Sequence, residues 1–195
     1  MTASVKKVLR EHARRDRALR DTQESWLHIQ SSAEIQSASV IASYISYGNE
    51  PETQDLNLAL LASGKTLLLP RMLADKDLEW VAWNGNPGQL KKNGKILEPV
   101  GQAFSNEAAI DVVIVPTLLA DRSGTRLGQG GGSYDRALAR LTALHTSAHG
   151  GKKPWKLGLI AAGELTSTPL PCEAHDQKLD AVATPSLITR FYHER

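Results

Sequence analysis

The stretch RLGQGGGSYDR, Arg126 to Arg136, places four glycines between a strand pattern and a helix pattern. The strand pattern is DVVIV, Asp111 to Val115, whose β-branched residues are typical of a buried strand. The helix pattern runs from Ser133 to about His145, with Leu and Ala at helical spacing. Glycine costs conformational entropy, so four in one loop indicate that something must lie close to the backbone there. A strand, a glycine turn and a helix in this order favour a fold built from strand–helix units.

The rest of the chain alternates in the same way between helix and strand patterns. The other predicted helices cover residues 5–13, 21–37 and 53–62. The other predicted strands cover residues 40–46, 66–69, 78–83, 156–161 and 180–184, of which the last is the final strand. Residues 84–109 are expected to be irregular and to carry part of a pocket, and residues 145–154 to form a polar surface loop. Alternation of this kind predicts an α/β fold, a single domain over residues 1–195 with a mainly parallel sheet layered by helices.

Local signals add detail to these elements. Asp21, with Glu24 three residues later, resembles a capping box and predicts the start of the second helix. Pro70 is expected to stop the strand TLLL. Trp80 and Trp83 alternate in the strand LEWVAW, and we expect both on one strand face, packing in the core rather than binding a ligand. Ligands bind parallel sheets at the carboxyl ends of the strands, where the glycine loop would lie.

Charge and cysteine usage limit the class of protein. The net charge of +2 is too small for a dedicated nucleic-acid binder, although residues 1–20 carry seven basic and two acidic residues. An RNA-binding arm stays an alternative, but this segment has no aromatic residues to stack on bases. Cys172, the single cysteine, excludes an internal disulfide and fits a reducing compartment. No apolar run is long enough to span a bilayer. Together with the charge and the single cysteine, this leads us to expect a cytoplasmic protein without nucleic-acid or membrane partners.

The glycine loop has the chemistry of an anion site. It matches neither common phosphate fingerprint, because Ser133 stands where G-x-G-x-x-G needs its third glycine and the loop has no P-loop lysine. Successive glycine N–H groups can form a concave nest, and Arg126 can bind two phosphate oxygens. Asp135 would be repelled by a phosphate unless a cation lay between them, and Mg²⁺ prefers carboxylate and phosphate oxygens. The alternative is a tight strand-to-helix turn in which Asp135 only favours the helix start.

The stretch VPTLLADRSGTRLGQGGGSYDR, from Val115 on, resembles the signature of the 5-formyltetrahydrofolate cyclo-ligase (5,10-methenyltetrahydrofolate synthetase) family. Three further stretches agree with that family in order and spacing. They are KKVLR (Lys6 to Arg10), IASYISYGNEPET (Ile41 to Thr53) and LPCEAHDQKLDAVAT (Leu170 to Thr184). These resemble the family's basic first helix, its second strand with the folate loop, and its metal segment. The resemblance covers nearly the whole chain, and the glycine signature is its most specific part.

The resemblance implies an enzyme. The family converts 5-formyltetrahydrofolate and ATP to 5,10-methenyltetrahydrofolate, ADP and phosphate, with Mg²⁺ as the cofactor. In the family's reaction the formyl oxygen attacks the γ-phosphate, N10 then adds to the activated carbon, and phosphate leaves. No nucleophilic side chain is needed, so catalysis consists of positioning and charge neutralisation. The implied partners of this chain are therefore 5-formyltetrahydrofolate and ATP.

The resemblance also implies roles for individual residues. The implied ATP-binding residues are Lys6, Arg10, Arg126, Leu127, Gly128, Gln129, Gly130, Gly131, Gly132, Ser133 and Tyr134. The implied folate-binding residues are Ile45, Glu50, Gln129, Gly130, Gly131, Gly132 and Ser133. Arg126 is the candidate catalytic residue, and Asp135 and Asp176 are the implied Mg²⁺ ligands. A carboxylate such as Glu50 can accept two hydrogen bonds from the amino group and ring N–H of a pterin.

Several of these residues also have a plainer interpretation. Lys6 and Arg10 lie four apart on one helical face, which Arg14 and Arg17 extend. Two cations on one face suit a polyphosphate, but a solvated basic helix would have the same pattern. Asp176, beside a histidine, would otherwise be an ordinary loop acid.

Ser133 departs from the family pattern, which has two tyrosines before the Asp. If the first tyrosine packs on the folate, this chain has lost one wall of the pocket. The alternative function is therefore a folate- or nucleotide-binding paralogue without turnover. Arg71, directly after the strand LLLP, is equally consistent with contact to a phosphate, contact to the substrate's glutamate tail, and a surface role.

Overall fold

The computed structural model describes residues 2–20, 24–148 and 153–192. Its helices are α1 (Thr2–Ala18), α2 (Ala33–Ser37), α3 (Gln54–Ala62) and α4 (Ser133–Ala148), with 3₁₀ turns at Leu27–Ser31, Pro87–Gln89 and Glu107–Ala109. Its strands are β1 (Val40–Ala42), β2 (Thr66–Met72), β3 (Leu78–Trp83), β4 (Leu90–Asn93), β5 (Ile96–Pro99), β6 (Val112–Pro116), β7 (Leu119–Asp121), β8 (Arg126–Leu127), β9 (Trp155–Leu159), β10 (Leu165–Thr166), β11 (Ala181–Ala183) and β12 (Ile188–Arg190). Within the described ranges, no helix has the length and apolar character needed to cross a membrane.

Seven strands form the central sheet, in the order β12-β11-β9-β6-β1-β2-β3. All pairings among β11, β9, β6, β1 and β2 are parallel, and the edge strands β12 and β3 run antiparallel to their neighbours. The prediction of an α/β domain with a mainly parallel sheet is confirmed. The strand order reverses between β1 and β6, since β2 and β3 extend to one side and β9 and β11 to the other. Sheets of this kind form a crevice at the carboxyl ends of the strands beside such a reversal.

The core lies on both faces of the sheet because strand side chains alternate. One face carries Ile41, Ile114 and Leu157 against α2 and α3. The other face carries Val113 against Leu138 of α4. Burial on both faces explains why the central strands are continuous apolar runs.

The predicted helix over residues 21–37 is wrong as one element. Its proposed cap, Asp21, lies outside the described residues, and the chain after it forms a 3₁₀ turn and then the short α2. Ser32 separates the two because its backbone is extended (φ −70°, ψ 144°) and its side chain caps α2. Trp26 is buried, and its ring N–H donates to the carbonyl of Ala183 at 3.1 Å. These contacts hold the 3₁₀ turn and α2 against the sheet as two separate elements, and one continuous helix does not form.

The strand predicted over residues 40–46 ends early, at Ala42. The carbonyl of Tyr44 accepts hydrogen bonds from Thr53 Oγ1 at 2.7 Å and from Asn57 Nδ2 at 2.9 Å. Side chains thus replace a neighbouring strand as partners of this backbone, and the chain turns into a loop before α3.

The strand predicted over residues 66–69 continues through Pro70 to Met72. β1 pairs only with the first three residues of β2, so Pro70 is paired with β3 alone and its missing N–H is tolerated. Trp80 and Trp83 pack in the core as expected, but on opposite faces of the sheet rather than on one. An odd separation along a strand reverses the side to which a residue points.

The region predicted to be irregular, residues 84–109, contains the antiparallel hairpin β4–β5. Its turn follows Asn93 and includes Gly94, which adopts a positive φ of 61°. Asn-Gly is a strong hairpin signal, and the polar residues around it obscured that signal.

Two predictions for the C-terminal third also need correction. α4 continues to Ala148, because no Gly or Pro interrupts it, so the surface loop predicted over residues 145–154 is helical at its start. Residues 149–152 of that loop lie outside the described residues. The predicted final strand is followed by β12, since the chain turns back where Thr184 N donates to the Leu187 carbonyl at 3.0 Å.

A buried ion pair holds helix α1 on the sheet. Arg17 Nε donates to Glu164 at 2.8 Å, and Arg17 Nη2 donates to the carbonyl of Thr117 at 2.8 Å. The same carboxylate accepts from Arg20 at 2.8 Å and from the backbone N–H of Ala161 at 2.7 Å. Arg17 and Glu164 are 5% and 2% exposed, so both depend on these partners. The pair therefore fixes the position of α1 at the carboxyl end of the central strand β6.

Removing one partner of this pair should destabilise the whole domain. We expect Glu164→Ala to lower the free energy of unfolding by about 3–5 kcal/mol, because the charge of Arg17 stays buried without its partner. Glu34→Ala is the matched control, since it removes the half-exposed pair with Arg190 and should cost less than about 1 kcal/mol. Urea denaturation of both variants measures the difference, and equal losses would contradict the role given to the buried pair.

Candidate active site

A cavity of about 400 Å³ opens at the carboxyl ends of β1, β2 and β6, beside the reversal of strand order. Its walls come from α1, the loop after β1, the hairpin β4–β5, the glycine loop and the segment 173–176. The predicted ATP-, folate- and metal-binding residues all line it: Lys6, Arg10, Ile45, Glu50, residues 126–135 and Asp176. Packing thus brings together side chains as far as 170 positions apart in the chain. Their individual roles stay predictions.

The glycine loop needs glycine for its backbone shape and for its contacts with arginines. Gly130 and Gly132 have positive φ angles of 104° and 69°, which side chains disfavour. A Cβ at Gly130 would lie 3.3 Å from the guanidinium carbon of Arg10. Arg10 Nε donates to the carbonyl of Gly128 at 2.9 Å, so α1 lies directly against the loop. The backbone on the cavity side stays accessible to a ligand.

Lys6 is buried beside two carboxylates of the C-terminal segment. Its Nζ lies 2.8 Å from Glu173 Oε2 and 2.6 Å from Asp176 Oδ2. Burial alone would lower the pKa of Lys6, but the hydrogen bonds to Asp176 and Glu173 outweigh it and raise this pKa. Burial would likewise raise the pKa of Asp176, and the hydrogen bond from Lys6 lowers it instead. The chain thus supplies its own cation to a pair of acids.

Sequence reasoning missed Glu173 as a member of this cluster. Ligand atoms of Glu173, His175 and Asp176 all lie within 4.8 Å of one another, close enough to share a metal ion. Two acids and a histidine within four residues of LPCEAHD were the signal that could have identified the group. Hard Mg²⁺ favours the carboxylate oxygens of such a set over the imidazole nitrogen.

Arg126 lies between the glycine loop and α4. Its Nη1 donates to Asp135 Oδ1 at 2.8 Å, and the backbone N–H of Gln177 donates to the same oxygen at 3.0 Å. The Nε of Arg126 and the hydroxyl of Tyr134 are both buried, and neither has a hydrogen-bond partner among the described residues. Both residues line the cavity, and each has one hydrogen-bonding atom that no described residue binds.

Glu50 is the carboxylate on the opposite side of the cavity. It accepts hydrogen bonds from the backbone N–H of Tyr47 and from Gln129 Nε2, both at 3.3 Å. Burial raises the pKa of Glu50, and these hydrogen bonds only partly oppose that effect. A desolvated carboxylate with few donors can accept hydrogen bonds from a ligand's N–H groups.

An apolar wall completes the cavity, and residues 84–109 supply part of it, as expected from the sequence. It consists of Met72 and Leu78 at the β2–β3 turn and of Ile96 and Leu97 on the hairpin β4–β5. These four residues do not belong to one sequence motif, so a search for motifs does not find the wall. Tyr134 stands close by and packs edge-on against Trp80, with ring centroids 6.3 Å apart and planes at 72°.

Three other arginines have partners within the chain. Arg14 donates to Gln129 of the glycine loop, which agrees with a basic face that continues beyond Arg10. Arg17 does not extend that face, because Glu164 binds it in the interior. Arg71 pairs with Glu79 at 2.7 Å and donates to the Gly101 carbonyl at 2.9 Å, away from the cavity lining. For Arg71 the structure favours the surface role.

Known proteins are similar to this chain in sequence and in fold. Residues 4–185 match the family described as the 5-formyltetrahydrofolate cyclo-ligase family. The 5-formyltetrahydrofolate cyclo-ligase of Mycolicibacterium smegmatis is 31% identical over 157 residues, which are 76% of this chain and 75% of that protein. The enzyme of the same name from Escherichia coli K12 is 30% identical over 155 residues, 77% of this chain and 80% of its own. The NMR structure of Aquifex aeolicus 5,10-methenyltetrahydrofolate synthetase superposes with a TM-score of 0.75 at 25% identity, covering 98% of this chain and 95% of that one.

The burial of Glu50 predicts a stability that changes with pH. The pKa of Glu50 is raised in the folded chain above its ordinary value of 4.5, so its ionised form is unfavourable there. The wild type should therefore lose stability relative to Glu50→Gln as pH rises from below 4.5 through the folded pKa. We expect Glu50→Gln to be the more stable protein at neutral pH, with a smaller advantage in acid.

Urea unfolding at several pH values measures this difference. Glu11→Gln is the control, because Glu11 is exposed on α1 and should show no such trend. A stability advantage of Glu50→Gln that does not grow with pH would contradict the burial argument.

Proposed function

The chain belongs to the 5-formyltetrahydrofolate cyclo-ligase family, and we propose how its cavity performs that family's reaction. It is a ligase of folate one-carbon metabolism that forms 5,10-methenyltetrahydrofolate from 5-formyltetrahydrofolate. In this proposal ATP is the co-substrate and Mg²⁺ accompanies it. The observation that carries the proposal is that one cavity is lined by the glycine loop, by cations of α1 and by the half-buried carboxylate of Glu50.

The proposed chemistry needs no side-chain nucleophile. The formyl oxygen attacks the γ-phosphorus of ATP, the bond to the ADP oxygen breaks, and the formyl carbon becomes electrophilic. N10 of the folate then adds to that carbon, the proton of N10 is lost, and phosphate leaves with the former formyl oxygen. Such a reaction is accelerated mainly by alignment of the two substrates and by neutralisation of the phosphoryl charge.

The nucleotide is assigned to the side of the cavity formed by α1 and the glycine loop. Backbone N–H groups of a glycine loop and the N-terminal end of α4 favour an anion. Arg10 already lies against this loop, and Arg126 has an unpartnered buried Nε beside it. We assign Arg126 to the phosphoryl group being transferred, because a guanidinium can bind two of its oxygens at once.

The acids of the cavity fit Mg²⁺. Asp135 and Asp176 line it as predicted, and Glu173 adds a third carboxylate beside Asp176. When bound, Mg²⁺ would supply positive charge to the phosphate oxygens. Lys6 now pairs with Glu173 and Asp176, and Arg126 pairs with Asp135. In the nucleotide complex Lys6 would exchange its carboxylates for phosphate oxygens.

The folate is assigned to the side of Ile45 and Glu50. The carboxylate of Glu50 accepts the pterin's N–H groups, and Ile45 packs beside them. The apolar wall of Met72, Ile96 and Leu97 suits the ring system between the pterin and the glutamate. Ser133 lines the cavity at the position of the family's first tyrosine and presents a small side chain there.

Ser133 is also the observation that favours the second candidate function, a folate- or nucleotide-binding paralogue without turnover. An RNA-binding arm has less support, because Arg10, Arg14 and Arg17 of α1 bind groups of this chain. The cytoplasmic location expected from the sequence stays a prediction.

Turnover separates the enzyme from the paralogue. The purified protein mixed with ATP, Mg²⁺ and 5-formyltetrahydrofolate should produce methenyltetrahydrofolate absorbance well beyond one equivalent of protein. Asp135→Asn should lose most of this rate and regain part of it at high Mg²⁺, because the amide keeps the shape and an acceptor oxygen but loses the charge. A protein that binds both ligands without turnover would establish the paralogue, and a wild-type rate and Mg²⁺ dependence in Asp135→Asn would refute the metal role.

The charge of Lys6 should serve ATP rather than folate. We expect Lys6→Met to raise the apparent KM for ATP by about ten- to a hundredfold, the value of a hydrogen bond to a charged group, with little change in the KM for folate. Lys7→Met is the control, because Lys7 is exposed on the same helix and does not line the cavity. Steady-state kinetics with each substrate varied in turn measures the effect, and an ATP dependence unchanged by Lys6→Met would remove Lys6 from the nucleotide site.

A further inference from the structure

Three side chains from distant segments form one line of hydrogen bonds, and two of them, Gln129 and Glu50, line the cavity. Arg14 of α1 donates to Gln129 Oε1 through Nε at 3.1 Å and through Nη2 at 2.9 Å. Gln129 Nε2 then donates to Glu50 Oε1 at 3.3 Å. Gln129 belongs to the glycine loop, so this line joins the proposed nucleotide side of the cavity to the proposed folate side.

The two ends of the Gln129 amide have different partners for a chemical reason. A guanidinium can only donate, so it selects the amide oxygen, and the amide N–H₂ is then directed to the carboxylate. Arg14 Nη2 also donates to the backbone carbonyl of Gln129 at 3.1 Å, which holds the residue at two points. Glu50 has no ion pair with any cation in the described part of the chain, so the amide is its side-chain donor. Gln129 thus fixes one oxygen of Glu50, and the backbone N–H of Tyr47 binds the other.

The loop that carries Gln129 has little stiffness of its own. Gly128 precedes it and three glycines follow, and glycine backbones have many accessible conformations. A nucleotide that binds the loop's N–H groups would restrict these conformations and would thereby hold Gln129 against Glu50. A folate that binds Glu50 would restrict the same loop from the other side. The ligand that binds first then reduces the conformational entropy that the loop loses when the second binds. This is a source of positive coupling between the two ligands.

We propose that Gln129 is a positioning residue through which ATP and 5-formyltetrahydrofolate strengthen each other's binding. The proposal depends on the proposed function, because it assigns the two ligands to the two sides of the cavity. It goes beyond contact of Gln129 with either ligand, since the effect passes from Arg14 through the amide to Glu50.

The measurement is the affinity for 5-formyltetrahydrofolate with and without the β,γ-imido analogue of ATP and Mg²⁺. The wild type should bind folate about 5- to 150-fold more tightly with the analogue present. Gln129→Met has nearly the same length but no amide, and it should reduce this ratio to less than about twofold. A merely structural loss would weaken folate binding equally in both conditions and leave the ratio unchanged. By thermodynamic reciprocity, folate should raise the affinity for the ATP analogue by the same factor. Gln129→Met should reduce that factor equally.

Two further variants separate the halves of the line. Arg14→Ala removes the guanidinium that orients the amide of Gln129, so it should lower the ratio. Because Arg14 lies outside the loop, this variant tests the inference even if Gln129→Met disturbs folding. Gln129→Glu keeps the acceptor for Arg14 but places a second carboxylate against Glu50, so it should lower the ratio as well. Gln102→Met is the matched control, because Gln102 is exposed and does not line the cavity, and it should keep the wild-type ratio.

The outcomes distinguish this inference from the proposed function. A wild-type ratio near one, or a ratio that survives Gln129→Met and Arg14→Ala, overturns the coupling role while turnover stands. A wild type that binds neither ligand and shows no turnover overturns both. The inference is supported if Gln129→Met, Arg14→Ala and Gln129→Glu all lower the ratio of folate affinities and Gln102→Met leaves it unchanged.

Discussion

The position of α1 on the sheet is the constraint on which the cavity depends, and the buried pair of Arg17 with Glu164 sets that position. Desolvated charges are costly unless they are fully partnered, so only a placement of α1 that satisfies both groups is stable. With Arg17 directed into the interior, Arg14 and Arg10 face the glycine loop and Lys6 meets the acids of the C-terminal segment. A contact outside the cavity therefore determines which cations line it.

Charges inside the cavity are paired within the chain. Lys6 pairs with two acids and Arg126 pairs with Asp135, so cations and carboxylates stand side by side where a polyphosphate is proposed to bind. A ligand that carries both negative phosphates and a divalent cation can exchange partners with these pairs without leaving a buried charge unpaired. This would explain an aspartate in the proposed phosphate-binding loop, where the loop sequence by itself makes one surprising.

The folate side follows a different principle, because burial rather than ion pairing controls it. Burial raises the pKa of Glu50, and in the described part of the chain its carboxylate accepts hydrogen bonds from neutral N–H groups of Tyr47 and Gln129. An arrangement that is unfavourable for stability but suited to a ligand with N–H donors is typical of functional sites. The glycine loop lies between this side and the charged side, and Gln129 touches both. The glycine-rich part of the cavity is thus also the part common to its two halves.

The sequence by itself determined the layered α/β fold and the place of the glycine loop, because alternating periodicity and glycine spacing act locally. The motif stretches also identified residues that meet in one cavity, from Lys6 to Asp176. Only the tertiary structure decided that Arg17 is buried, that Glu173 joins Lys6 and that the hairpin β4–β5 supplies an apolar wall. Periodicity shows which face a side chain occupies but not which distant element covers that face. The ion pairs that settle this join residues 147 and 167 positions apart, so their partners follow from packing alone.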